Sequence, residues 1–162
     1  MKNNIKLMWL TLFFLSLCLT TIAQKRNFSI SPTIGLNIPI LDNGSGFHIG
    51  INPAFSVSSR FAIECQFSYA YVKVNDSFIS GESGSQENFN ALLGGRFYLL
   101  SDKKKIRPYF NLLLGGTLNR ETDYEEYLLG VSTGFFVDFN RLLAGLSFET
   151  PGNIILKIGY AF

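Results

Sequence analysis

The chain has 162 residues, 47% of them hydrophobic and 15% aromatic, with only 16% charged. That length holds one domain, and so few charges beside so many aromatics argue against an ordinary water-facing surface. The formal net charge of +2 rests on Lys2 and Lys6; without them 12 basic residues balance 12 acidic ones, which excludes the basic excess of a nucleic-acid binder.

Lys2 and Lys6 introduce an uncharged apolar run at 7–19, and Thr21-Ile22-Ala23 places small residues at both recognition positions before Gln24. This is the layout of a secretory signal peptide over 1–23, cleaved ahead of a domain at 24–162. The apolar run is shorter than the roughly 20 residues a spanning helix needs. Cys18 follows the large Leu17, which disfavours lipidation, and Cys65 alone remains after cleavage, so no intrachain disulfide can form.

From residue 27 the chain alternates with a period of two, which no helix produces. The first segment, 27–38, sets Phe28, Ile30, Pro32, Ile34, Leu36 and Ile38 against Asn27, Ser29, Ser31, Thr33, Gly35 and Asn37. Segments at 47–58, 61–71, 88–99, 107–118, 127–139, 142–150 and 154–162 follow, the sixth less regularly. Their connections run long (39–46), short (59–60), long (72–87), short (101–105), long (119–126), short (140–141), then a tight 151–153. Short turns on one rim and longer loops on the other predict an all-β fold, an eight-stranded antiparallel up-and-down transmembrane β-barrel.

The two faces decide between lipid and water. The polar face is mostly Gly, Ser, Asn and Ala, small residues that suit a narrow lumen, so the apolar face looks into lipid. A soluble eight-stranded barrel would carry Lys and Glu there instead. Aromatics gather at both strand ends: Phe47, Tyr69, Tyr71, Phe89, Tyr127 and Phe148 near the long loops, and Phe28, Phe61, Phe97, Tyr160 and Phe162 near the short turns. Two such girdles are expected at membrane interfaces. Pro32 and Pro53 fit poorly in a closed wall. Pairing Ile38 with Phe47 makes them face each other, with a shared bulge or local widening as the expected remedy.

The last strand, Ile158-Gly159-Tyr160-Ala161-Phe162, resembles the C-terminal signal read by barrel-assembly machinery, with Ile158, Tyr160 and Phe162 as its marks. With Gly94-Gly95-Arg96-Phe97-Tyr98 and Arg107-Pro108-Tyr109-Phe110, the chain resembles the outer-membrane β-barrel family of OmpA/OmpX type. The resemblance implies a place in the outer membrane among lipid and lipopolysaccharide, and hardly any activity.

Three lumen ion pairs are expected. Pairing Tyr71 with Phe89 sets Glu64 opposite Arg96, pairing Leu118 with Tyr127 sets Arg107 opposite Asp138, and Glu149 neighbours Lys157 in the last hairpin. Charges confined in a narrow interior must pair, so they read as a plug before an ion pathway. His48 is the sole histidine, expected near the outer rim and facing in, so no His-based metal site exists. His48, Asp76 and Ser77 match the residue types of lipid A palmitoyltransferase barrels, but the N-terminal amphipathic helix of those enzymes is missing.

Charge also separates by rim. Lys25, Arg26, Arg60, Lys103, Lys104, Lys105, Arg107 and Arg141 collect at the short-turn side, opposed by Asp102 and Asp138. Asp42, Asp76, Glu82, Glu87, Glu121, Asp123, Glu125 and Glu126 collect at the long-loop side, opposed by Lys73 and Arg120. The cluster Glu121, Asp123, Glu125 and Glu126 is a weak candidate for surface divalent cations bridging to lipopolysaccharide. No cofactor motif occurs. The expected function is a non-enzymatic barrel with a plugged polar lumen that supports the envelope or presents loops to an extracellular partner. A lipid A-modifying enzyme and a narrow channel or carrier are the alternatives.

Overall fold

The computed structural model describes residues 28–40, 42–76, 84–100, 104–121 and 124–162; the signal segment and Gln24 lie outside the described residues. Eight strands follow in order: β1 (Phe28–Pro39), β2 (Asn43–Ser56), β3 (Phe61–Asp76), β4 (Gly84–Tyr98), β5 (Ile106–Glu121), β6 (Tyr124–Phe139), β7 (Leu142–Glu149) and β8 (Asn153–Tyr160). Each pairs antiparallel with its neighbours, and β8 closes on β1. The alternation decides the two surfaces. Ile34, Phe67, Leu93, Leu114 and Leu156 point outward and are exposed, whereas Ser31, Asn37, Gln66, Ser132 and Ser147 are buried. A polar inside and an apolar outside invert the order of a water-soluble protein, and only lipid makes that inversion stable.

The register measures the barrel. A path from Ser29 crosses Ala54, Glu64, Gly94, Leu113, Ser132, Glu149 and Asn153, then re-enters β1 at Pro39, a shear of ten residues. With ordinary strand spacing and rise, eight strands at that shear tilt by roughly 40°.

The strands run further than the hydropathy pattern predicts. Most of the expected loops at 72–87 and 119–126 is strand: Val72 and Val74 pair with Gln86 and Gly84, and Asn119 pairs with Glu126. The outward positions there are Lys73, Glu87, Arg120 and Glu125, so the polar–apolar contrast ends while the backbone ladder continues. Past the lipid belt the outward face turns polar, and in β3 the inward positions become the apolar Val72 and Val74, so the contrast that marks a lipid-facing strand is lost or inverted. β7 and β8 have 8 residues each against 16 for β5 and β6, so the wall is tall on one side and low on the other.

Two expected registers are off by two residues. β1 pairs Leu36, not Ile38, with Phe47, so Pro32 faces Ile51 and Pro53 faces Ile30; the prolines do not meet. Pro32 lies one residue beyond Thr33, where the β1–β8 pairing ends. Pro53 lies where the β2–β3 pairing lapses, between Ile51–Phe67 and Ala54–Glu64, with the same register on both sides. The missing N–H is thus absorbed by a lapse rather than a bulge, and the irregularity of that ladder lies at Asn43/Gly44. In β3–β4, Phe89 faces Tyr69, so Glu64 faces Gly94 and Arg96 faces Ala62. A slip of two leaves every side chain on its face, so hydropathy cannot detect it. The β5–β6 register does pair Leu118 with Tyr127.

At the turn between β6 and β7, Asn140 and Arg141 take positive φ of 53° and 94°. Such a pair matches the twist of a two-residue hairpin, and the Arg141 amide donates to Asp138 Oδ1 at 3.0 Å.

Candidate functional site: the lumen and its outer rim

At the short-turn end the inward positions are large. Tyr98, Tyr109, Phe136, Leu143 and Ala62 form one buried cluster, with Tyr109 stacked on Phe136 at 5.3 Å. Gly134 and Gly145 make room for that ring: a Cβ at Gly134 would come within 2.6 Å of Phe136 Cε2, and one at Gly145 would also strike the ring. Arg96 lies over Tyr109, its Cζ 4.5 Å from the ring centroid, and Arg107 covers Tyr98 at 4.4 Å.

Arg96 and Glu64 are not directly opposite, yet their long side chains meet across the diagonal. Arg96 Nε donates to Glu64 Oε2 at 3.0 Å and Nη2 to Oε1 at 2.9 Å, while Nη1 donates to the Tyr98 hydroxyl at 3.1 Å. Both side chains are almost wholly buried, and the two-point geometry is the arrangement that offsets desolvation best. Arg107 Nη2 donates to Asp138 Oδ2 at 2.6 Å nearer the rim. The space left among Asn52, Glu64, Arg96, Tyr109, Phe136 and Lys157 is about 10 Å³, the lower limit for one water.

Higher in the lumen, Glu149 is the hub. Lys157 Nζ donates to its Oε1, as do Gln66 Nε2 at 3.0 Å, Ser147 Oγ at 3.1 Å and Ser132 Oγ at 3.2 Å. Asn90 Nδ2 donates to Oε2 at 3.3 Å, and Asn90 Oδ1 accepts from Thr117 Oγ1 at 2.7 Å. Asn52 Nδ2 links this group to the lower pair, donating to Glu64 Oε1 at 2.9 Å and, more weakly, to Gln66 Oε1 at 3.4 Å. Gln66, Asn52 and Asn90 were not singled out from the sequence. Their signal was present: they share parity with Glu64 on their strands or face it across them.

His48 is buried in the lumen, its Nε2 4.0 Å from Glu149 Oε2. Ser77 lies outside the described residues, as does the side chain of Asp76, so the acyltransferase set is not assembled on the described residues. The acidic cluster is divided by strand geometry. Glu125 sits opposite Arg120, whose Nη2 donates to it at 3.3 Å, while Glu121 accepts from Gln86 Nε2 at 3.3 Å. Asp123 lies outside the described residues, and among the described residues no three His, Cys, Asp or Glu side chains are placed to hold a metal. A groove of about 780 Å³ lined by Ile34, Ile49, Ile51, Phe67, Tyr69 and Phe89 runs on the outer wall, where lipid covers it. Tyr160, the last residue of β8, and Phe162 just beyond it pack edge to face at 5.0 Å, and Ile158 points outward beside them.

No protein-family model and no curated protein sequence matches the chain. Solved structures do. The outer membrane protein OprG from Pseudomonas aeruginosa matches 84% of this chain and 96% of its own, at 11% identity and a TM-score of 0.51. Ail, the attachment invasion locus protein of Yersinia pestis, in complex with the heparin analogue sucrose octasulfate, matches 84% of this chain and 97% of its own, at 14% identity and a TM-score of 0.50. The fold of this chain is that of the eight-stranded outer-membrane barrels.

Proposed function

We propose that the protein is a non-enzymatic barrel of the bacterial outer membrane, exported by its signal peptide, whose blocked lumen anchors a tall sheet that meets an extracellular partner. The observation that carries this reading is the uneven wall. β7 ends at Glu149, opposite Ser132, so β6 from Tyr124 to Gly130 has no β7 residue beside it. Val131 exchanges backbone and hydroxyl bonds with Thr150 at that boundary, so by alternation the amides of Leu129 and Tyr127 face the open side. Tyr127 and Leu129 are also the most exposed large hydrophobics, at 81% and 74%. An open strand edge with exposed side chains is a template for strand addition.

Charge narrows the partner. Asp42, Glu87, Glu121, Glu125 and Glu126 outweigh Lys73 and Arg120 on this rim, which favours a basic extended segment over a polyanion of the kind bound to Ail. The packed lower lumen supports a closed barrel rather than a channel. A Tyr127→Cys variant tests location and orientation together: a membrane-impermeant maleimide should label it on intact cells. Labelling only after the outer membrane is permeabilised would overturn the reading. Steady conductance in planar bilayers would overturn the blocked lumen.

A further inference from the structure

The groove of about 780 Å³ on the outer wall has a defined construction. Ile158, Ile34, Ile49, Tyr69 and Phe89 stand level with one another from β8 across β1, β2 and β3 to β4. Two residues nearer the short turns, Pro32, Ile51 and Phe67 form a second row, which Tyr160 extends onto β8. Between the rows run Gly159, Thr33, Gly50, Ser68 and Asn90. The side chains of Thr33, Ser68 and Asn90 are buried in the lumen, so backbone alone floors the groove. A register row climbs toward the long loops on passing from β8 to β4, as the shear requires. The groove therefore starts at Leu142 and Tyr160, paired beside the short turns, and ends at Phe89 in the long-loop girdle.

We propose that this groove holds one acyl chain of an anionic glycerophospholipid, with the lipid phosphate at the short-turn rim against Arg141. The proposal rests on the wall lying in lipid and not on any partner at the β6 edge. Shape selects the chain. The two rows are about 7 Å apart along each strand, too narrow for a helix of roughly 10–12 Å diameter. The strands beneath are laddered to one another, so no further strand can add there. From β8 to β4 the groove crosses four strand spacings, about 19 Å, a run suited to an extended acyl chain. Its lining is apolar along the whole path.

Charge selects the headgroup and the end at which it sits. At the upper end Tyr69 is hydrogen-bonded to Glu87, and Arg120 is already held by Glu125. That end repels a phosphate. At the lower end Arg141 immediately precedes Leu142, and its carbonyl accepts from the Ala161 amide at 2.7 Å, which ties this turn to the end of β8. The Arg141 side chain is exposed, and among the described residues no carboxylate pairs with it. A basic side chain at the mouth of an apolar groove complements a phosphate joined to a hydrocarbon tail.

The test follows tryptophan quenching by brominated lipid. The only tryptophan of the chain, Trp9, lies in the signal segment, so a tryptophan set in the groove is a local reporter, with the unaltered protein as baseline. Phe67→Trp reports from the groove, and Phe135→Trp reports from the exposed outer face of β6, away from it. Both are reconstituted in phosphatidylcholine vesicles containing phosphatidylglycerol brominated on its acyl chains. Quenching of Phe67→Trp should saturate at a low fraction of this lipid, whereas quenching of Phe135→Trp should rise in proportion to it. Brominated phosphatidylcholine should quench both positions alike. Adding Arg141→Gln should lower the preference for phosphatidylglycerol about fivefold, the worth of one basic residue at an anionic lipid surface. Should Phe67→Trp fail to fold, Ile51→Trp reports from the same row. Proportional quenching at both positions, equal saturation with either lipid, or a preference that survives Arg141→Gln would each overturn the proposal. So would stronger displacement of the brominated chain by lipopolysaccharide than by unlabelled phosphatidylglycerol.

Discussion

The lower and upper halves of the lumen are built from the same alternation but reach opposite states. Below, every charged group has a counter-charge within hydrogen-bond reach, and rings fill the remaining space. Above, the side chains are equally buried but, among the described residues, seven carboxamide and imidazole atoms of Asn37, His48, Asn88 and Asn119 stay unpartnered, against Asn111 Oδ1 and Ser31 Oγ lower down. The difference follows from side-chain length against barrel width. Arg96, Glu64, Gln66 and Lys157 are long enough to meet across the interior, whereas asparagines separated by Gly46 and Ala70 fall short of one another. Burial alone therefore does not define a plug; reach does.

The largest expected effect breaks the lower half. Glu64→Leu or Arg96→Leu alone should destabilise the barrel by about 3–5 kcal/mol, because each strands a buried charge. The double variant should lose less than the worse single one. Equilibrium unfolding in lipid vesicles, followed by gel mobility, measures both, and additive losses would show that the two residues are not coupled. Next, Asn52→Leu should cost about 1–3 kcal/mol by removing the donor that joins Glu64 to Gln66. A neutral result would remove Asn52 from the network.

The matching change in the upper half sharpens the contrast. Asn88→Leu should leave stability unchanged or raise it by up to about 1 kcal/mol, since no protein partner is lost. A loss as large as that of Asn52→Leu would erase the distinction between the halves. The smallest effect belongs to the rim: Arg120→Gln breaks a half-exposed pair with Glu125 and should cost under about 1 kcal/mol, fading with salt.

Period-two alternation by itself determined the strand count, which residues look into lipid and which line the lumen, because a side chain's face depends only on its position along its own strand. The expected Leu118–Tyr127 register also matched, and with it Arg107 came opposite Asp138, although alternation alone would have allowed a slip of two there as elsewhere. Hydropathy could not separate the Ile38–Phe47 register from the Leu36–Phe47 register, as both keep the same faces. Closure decided it, because every strand must satisfy two neighbours at once around a shear of ten. Strand height was likewise invisible: Lys73, Glu87, Arg120 and Glu125 read as loop once the apolar face ended, and only backbone pairing carries those strands past the lipid belt. The unpartnered row from His48 to Asn119 is a tertiary fact for the same reason. It depends on which residues four different strands bring level with one another, and that is set by the ladder rather than by any residue's own chemistry.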